Sequence, residues 1–384
     1  MELTKIKNAK HATLTLFEGA VQQSDIHTEL NSTREHLTSF LEKLLQLQNL
    51  DYIRQEISQL QESCLLSEQR GVESVEENEG VSVSVQNLSQ QLSQILSAQT
   101  LERAHYYIKR LKKALSEVKV SHINDLNLNQ WQEYDDILTD SLWILGKRDT
   151  SGAHHAGYWG NFVPEIPRQF FKRYTKKGDW VLDTFLGSGT TLIECRRQGR
   201  NGIGIELQPK VAQLAEMAVS NEPNPHHVQT RIIIGDSTEI DYHSELCNAG
   251  IKQVQLLMMH PPYWDIIKFS DDKRDLSNAG CLSAFLAMLS KVIDRTYPVL
   301  EKGRYFALVI GDKYSGGEWI PLGFYAMQEA LKRGYKLKSI IVKNFEETRG
   351  KRSQHALWRY RALVGGFYIF KHEYIFLFRK ESDS

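Results

Sequence analysis

"DWVLDTFLGSGTTLIECRRQG", residues 179–199, changes its rhythm half-way along. Trp180 to Phe185 reads as a buried strand, and Thr190 to Gly199 reads as a helix. Between them Gly187 and Gly189 carry no side chain, so the backbone can come close to a ligand at the carboxyl end of a sheet. The alternation continues outward from this unit. "NGIGIEL" (201–207), "RIIIGD" (231–236), "VQLLMM" (254–259) and "RYFALVIGD" (304–312) are strand-like. "KVAQLAEMAVS" (210–220), "CLSAFLAMLSKVIDRTYPVL" (281–300) and "PLGFYAMQEALKRG" (321–334) are helical. Strands alternating with helices of this length form a mainly parallel sheet with both faces covered. "KLKSIIVKNF" (336–345) and "FYIFKHEYIFLFRK" (367–380) have no helix between them on this reading and are expected as an antiparallel pair at one edge. Residues 150–384 are therefore predicted to form one α/β domain with a doubly wound, mostly parallel, seven-stranded Rossmann-like sheet.

Residues 1–149 follow a different pattern. Leu37, Leu41 and Leu44, then Leu50, Ile53, Ile57, Leu60 and Cys64, fall on one stripe of a long helix or a helix pair, and Leu92, Ile95, Leu96, Ala104, Ile108, Leu111 and Leu115 fall on a second. A helical hairpin up to about residue 120 is expected, joined by an acidic, Ser-rich connector over 67–90. Such a coiled-coil-like accessory region suits a homodimer or a partner subunit. Across the 384 residues, 47 Lys and Arg balance 47 Asp and Glu, so any nucleic-acid partner requires a local concentration of cations. Cys64, Cys195, Cys247 and Cys281 form no C-x-x-C pair, and no metal site is expected. No apolar run approaches the roughly 18 residues that span a bilayer, and the opening "MELTKIKNAKHATLTLF" lacks a signal-peptide pattern, so a cytoplasmic, non-membrane protein is expected.

The glycine loop fits neither common phosphate motif. A dinucleotide fingerprint wants a third glycine where Leu192 stands, and no Gly-Lys-Ser/Thr follows as in a Walker loop. Acidic residues instead end three successive strands: Asp183, Glu206 and Asp236. Glu206 is placed to accept both hydroxyls of a ribose, and Asp236 to meet an adenine amino group. Together they describe a pocket for a nucleoside with a polar, ammonium-bearing tail. Further along, "LLMMHPPYWDIIKFS" (256–270) sets two prolines at a strand end. Neither can donate to a ladder, so the chain must leave the sheet after Met259 and expose Tyr263 and Trp264 at its edge.

With these pieces in order, residues 155–380 resemble the S-adenosylmethionine-dependent DNA methyltransferases that modify exocyclic amines, N6 of adenine or N4 of cytosine. "DTFLGSGTT" is similar to their cofactor loop, "IGIEL" to their ribose strand, "HPPYW" to their D/N/S-P-P-Y/F motif and "KHEYIFLFRK" to a closing strand. The resemblance implies S-adenosylmethionine as cofactor, held by Asp183, Phe185, Gly187, Gly189, Thr190, Glu206 and Asp236. It also implies a segment over the methionine end of the cofactor, with Trp159, Asn161, Phe162 and Pro164 as candidates. At the catalytic corner an amine whose lone pair is delocalised needs acceptors for its hydrogens. Pro261 and Pro262 fix the backbone so that the Pro261 carbonyl accepts one hydrogen, His260 accepts the other, and Tyr263 gives a face on which a flipped base stacks. The family usually has Asp, Asn or Ser where this chain has His260. Only a neutral imidazole accepts, so activity is expected to fall below the His260 pKa, and a rate unchanged down to about pH 5 would speak against His260.

Duplex DNA with a flipped base is the expected partner. Between residues 331 and 361 there are ten Lys or Arg against two acids, and the stretch "EETRGKRSQHALWRYRALVGG" (346–366) interleaves cations with aromatics. Arg349, Lys351, Arg352, Trp358, Arg359 and Arg361 are its candidate contacts, expected on a loop. "KFSDDKRDLSNAG" (268–280) is a second candidate for recognition. A restriction-modification setting follows from this reading. An RNA base amine methyltransferase remains an alternative, as does a non-catalytic nucleic-acid-binding subunit.

Overall fold

The computed structural model describes residues 26–69, 74–75, 83–154, 163–344 and 355–381. The chain divides into two compact units, residues 1–121 with 126–136, and residues 122–125 with 137–384. The expected boundary at 149/150 falls inside the second unit.

In the first unit each expected long stripe is a pair of helices, α1 (Ile26–Leu44) with α2 (Leu50–Gln69), and α3 (Val85–Leu96) with α4 (Leu101–Ser116). The breaks have local causes. Asn49 Oδ1 accepts the amides of Asp51 and Tyr52 at the start of α2, and Thr100 caps α4 by accepting the Arg103 amide. Leu41, Ile53, Ile57, Leu92, Ile95 and Ile108 are fully buried in one shared core, as the apolar stripes predict; of the two expected forms of the first stripe, one long helix or a helix pair, the pair is found. Much of the expected connector, 70–73 and 76–82, lies outside the described residues.

The second unit is a three-layer α/β/α sandwich. In chain order its sheet strands are β1 (Leu142–Trp143), β2 (Trp180–Asp183), β3 (Asn201–Glu206), β4 (Thr230–Ile234), β5 (Val254–Met259), β6 (Leu300–Ile310), β7 (Tyr335–Asn344) and β8 (His372–Lys380). They lie in the order β1-β7-β8-β6-β5-β2-β3-β4. Eight strands replace the expected seven, because residues 142–143 add a short parallel strand beside β7. β7 and β8 do pair antiparallel, but β8 is inserted between β7 and β6, and the edge belongs to β1.

The strand residues alternate between two apolar layers. Leu182, Leu257, Met259, Phe306, Leu308 and Ile310 face α8 (Tyr242–Asn248), α9 (Leu282–Thr296) and α10 (Leu322–Lys332). Val181, Leu256, Met258, Ala307 and Val309 face α5 (Glu165–Tyr174), α6 (Thr190–Gln198) and α7 (Pro209–Asn221). Covering both faces explains why these strands read as continuous apolar runs. A further helix, α11 (His355–Gly365), stands between β7 and β8 where a loop was expected. Among the described residues no helix is long and apolar enough to cross a membrane.

Candidate active site

From β2 the chain winds to β3 and β4 on one side, and β5 and β6 lie on the other. The boundary between β2 and β5 is thus a topological switch point, where a crevice opens at the carboxyl ends of parallel strands. Asp183 and Met258 are register partners there, and the Thr184 amide donates to the Met258 carbonyl at 3.3 Å. The glycine loop leaves β2 and the HPPYW corner leaves β5, so two motifs more than seventy residues apart emerge side by side.

The loop is held by its own neighbours. Asp183 is fully buried beneath it, accepting the Thr191 hydroxyl and the Phe185 amide, and burial pushes its carboxyl up to about 6. Its side chain shapes the loop and has no surface left for a ligand. Gly189 sits at φ 89° as the N-cap of α6, a left-handed conformation that disfavours other residues, and Thr190 is buried as the first residue of that helix. Phe185 packs against the layer formed by α8–α10. Glu206 accepts the Gly187 amide at 3.0 Å on one oxygen and the Gln208 amide at 2.9 Å on the other. Each oxygen keeps lone-pair capacity for a further donor. Burial pushes this carboxyl up to about 7. Asp236 lies just past β4, half-buried, with Oδ1 accepting the Thr238 amide at 2.8 Å. A buried carboxylate with unspent acceptor capacity beside an amide-lined loop fits a ribose diol.

On the other side of the crevice the corner is assembled from distant strands. Trp264 has φ 52°, a left-handed conformation that costs a non-glycine residue about 1–3 kcal/mol. It is held by an indole hydrogen bond to the Ala279 carbonyl at 2.8 Å and by the Lys313 ammonium 3.9 Å from its ring centroid. Tyr263 packs where Gly311 lacks a side chain; a Cβ there would meet Tyr263 Cε2 at 2.9 Å. Its hydroxyl donates to Glu373 Oε2 at 2.6 Å, and His260 Nε2 lies 3.0 Å from the same hydroxyl. Burial holds the His260 imidazole down to about 4 and pushes the Tyr263 phenol well above its ordinary range. Neutral His260 is therefore the prevailing form at any ordinary pH, and the expected acid sensitivity moves below pH 5. The Tyr263 hydroxyl is committed to Glu373, so the ring is anchored as well as presented.

Sequence reading missed Glu373 and Lys343, which lie opposite one another on β8 and β7 and form an ion pair at 3.0 Å. The alternation of "KHEYIFLFRK" gave the one available signal, a glutamate in an otherwise apolar strand. It also missed the anchor that leads into the segment expected over the cofactor. His154 Nε2 lies 2.8 Å from Glu194 Oε1 on α6, both fully buried, and Arg197 ties α6 to Glu222 and Asp149. Trp159, Asn161 and Phe162 lie outside the described residues, as do Arg349, Lys351 and Arg352. Of the remaining nucleic-acid candidates, Trp358, Arg359 and Arg361 lie on α11, with the Arg361 guanidinium 5.2 Å from the Trp358 ring centroid. The 268–280 loop is knitted by Ser270, Asp275 and Asn278, and Gln208 Nε2 donates to the Phe269 carbonyl at 3.3 Å, so it walls the crevice beside Glu206.

A family model described as DNA methylase, of the N6 and N4 type, matches residues 69–217, from the end of α2 into α7, and includes the whole glycine loop and Glu206. Over that stretch the chain is similar to the N6/N4 DNA methylases. The HPPYW corner lies beyond the stretch matched by that family model. Among curated relatives, the Type II methyltransferase M.MjaII of Methanocaldococcus jannaschii is 43% identical over 60 residues, covering 16% of this chain and 11% of the relative. M.BglI of Bacillus subtilis, also a Type II methyltransferase, is 34% identical over 96 residues, covering 25% and 26%. The matched stretch thus spans about a quarter or less of these relatives' length. A solved structure of TrmN from Thermus thermophilus aligns over 57% of this chain and 49% of its own, with a TM-score of 0.36 and 15% identity.

Proposed function

We propose that the second unit transfers a methyl group from S-adenosylmethionine to an exocyclic amine of a flipped DNA base, N6 of adenine or N4 of cytosine. The observation that carries this reading is the adjacency of the amide-lined loop with Glu206 and the HPPYW corner across the β2/β5 switch point. The match of residues 69–217 to the N6/N4 DNA methylase model supports it, and the names of the Type II methyltransferase relatives agree with it.

On this reading Glu206 accepts the ribose hydroxyls, Asp236 meets the adenine amino group, and the Gly187–Gly189 backbone lies against the cofactor. S-adenosylmethionine supplies, when bound, an electrophilic methyl on a sulfonium. His260 and the Pro261 carbonyl accept the hydrogens of the incoming amine and so restore nucleophilic character to its nitrogen. The rigid Pro261–Pro262 backbone and the anchored Tyr263 ring keep that geometry fixed while the base is held. α11 with Trp358, Arg359 and Arg361 meets the nucleic acid, and the helical unit serves assembly.

The test is transfer of labelled methyl to duplex DNA and to RNA, with nucleoside digestion of the product. Label in N6-methyladenine or N4-methylcytosine of DNA, lost in His260→Ala, is the expected result. Label confined to RNA, or none in either acid, overturns the proposal.

A further inference from the structure

A chain of hydrogen bonds runs from the sheet into the corner, and its protons can be counted. Lys343 Nζ lies 3.0 Å from Glu373 Oε1, and both side chains are only 7% exposed. A carboxylate facing an ammonium at that distance is ionised and can only accept. Tyr263 OH is 2.6 Å from the other oxygen, Glu373 Oε2, and has a single hydrogen to give. That hydrogen goes to Glu373. The phenol oxygen is then an acceptor, and the group 3.0 Å away from it is His260 Nε2. Nε2 must therefore carry a hydrogen. A neutral imidazole has only one N–H, which puts the lone pair on Nδ1.

This matters because of the residue type at 260. The Asp, Asn or Ser usual in the resembled motif offers an acceptor oxygen in every ordinary state. An imidazole accepts through one nitrogen only, and which one is set by what the other nitrogen meets. Among the groups facing His260 are Tyr263 in its own corner, Glu373 on β8 and Lys343 on β7, and the register that pairs Lys343 with Glu373 sets the last two directly opposite each other. Gly311 at the end of β6 leaves room for the Tyr263 ring between them.

We propose that Lys343, Glu373 and Tyr263 are positioning residues that hold His260 in its Nε2–H tautomer, so that Nδ1 accepts a hydrogen from the substrate amine. The role assigned to Nδ1 rests on the methyl-transfer reading above; the tautomer itself does not. Neutrality of the ring agrees with the downward displacement of its pKa by burial.

The experiment uses the full chain labelled with ¹⁵N-histidine, with the His260 signals assigned by their absence in His260→Gln. Two-bond ¹H–¹⁵N correlations at pH 7 distinguish the tautomers directly. The expected result is Nε2–H in the wild type and a shift toward a mixture in Tyr263→Phe, which removes the acceptor with the smallest change in shape. Lys343→Met is a second variant should Tyr263→Phe fold poorly, and it is expected to loosen the same preference. A wild-type His260 in the Nδ1–H form, or a tautomer unchanged in a folded Tyr263→Phe, overturns the relay. In the transfer assay Tyr263→Phe is expected to lower kcat by about tenfold or more with the cofactor KM little changed. If the tautomer behaves as expected and no nucleic acid accepts methyl, the relay stands and the functional reading fails. If methyl transfer proceeds while the tautomer ignores Tyr263, the functional reading stands and the relay fails.

Discussion

The glycine loop takes its shape from residues close to it in sequence: Asp183 meets Thr191 eight positions on, and Gly187 meets Glu206 nineteen positions on. The HPPYW corner takes its shape from far away, with Tyr263 reaching 110 positions to Glu373 and resting on Gly311 just past β6. Burial favours the neutral form in both, which moves an acid and a base in opposite directions. Burial raises the carboxyls of Asp183 and Glu206 on the loop side and lowers the imidazole of His260 on the corner side. A nucleotide pocket can be built by one βαβ unit because the backbone amides of a single turn do most of the work. A proton-accepting corner needs side chains converging from several directions, which only a closed sheet supplies.

The sharpest way to break the contrast is Glu373→Leu, which leaves Lys343 buried without its carboxylate and the Tyr263 hydroxyl without its acceptor. A loss of about 3–5 kcal/mol in denaturant unfolding is expected, most of it recovered in Glu373→Leu/Lys343→Met, because removing both charges removes the unpaired one. An unpaired Glu373→Leu as stable as the wild type would show that the ion pair is not buried in solution.

The opposite pKa displacements give opposite pH slopes. Glu206 ordinarily ionises at 4.5 and at about 7 in the folded chain, so the folded state binds the extra proton and this residue's share of stability falls as pH rises from 4.5 to 7. His260 ordinarily titrates at 6.5 and at about 4 when folded, so its share falls as pH drops from 6.5 to 4. Each amounts to at most about 3 kcal/mol over its interval. Thermal unfolding of Glu206→Gln and His260→Gln against the wild type isolates the two slopes, and slopes of the same sign would refute the assignment. Binding of a ribose-bearing cofactor to ionised Glu206 should likewise weaken as pH falls below 7, and titration calorimetry at pH 5.5 and 7.5 reads this directly.

Gly204 tests the local side. A Cβ there would lie 2.6 Å from Leu186 Cδ2, so Gly204→Ala must push the loop off β3 and is expected to cost about 1–3 kcal/mol. Cofactor affinity should fall with the melting temperature while the His260 tautomer stays unchanged. The smallest effect belongs to α11. Arg361→Ala removes a surface cation above Trp358, with little change in stability and a reduction of about one in the salt slope of DNA binding.

Much of this was legible beforehand, for identifiable reasons. Strands buried on both faces leave apolar runs, amphipathic helices leave stripes, and the glycine loop announces itself because its geometry needs glycine at Gly189 and an acid at Glu206. The helix breaks at Asn49 and Thr100 are signalled by side chains that cap the following helices. α11 was hidden by a composition that mixes cations with apolar residues at no clear period.

The sequence by itself determined the α/β order, the glycine loop and the proline corner, since each is encoded by residues within a few turns of one another. It did not determine that β8 inserts beside β6 and sets Glu373 against Tyr263, or that Lys343 faces it from β7. Strand neighbours are chosen by the packing of whole layers, and a proton on one nitrogen of His260 is chosen by the partners that packing delivers. That choice belongs to the tertiary structure alone.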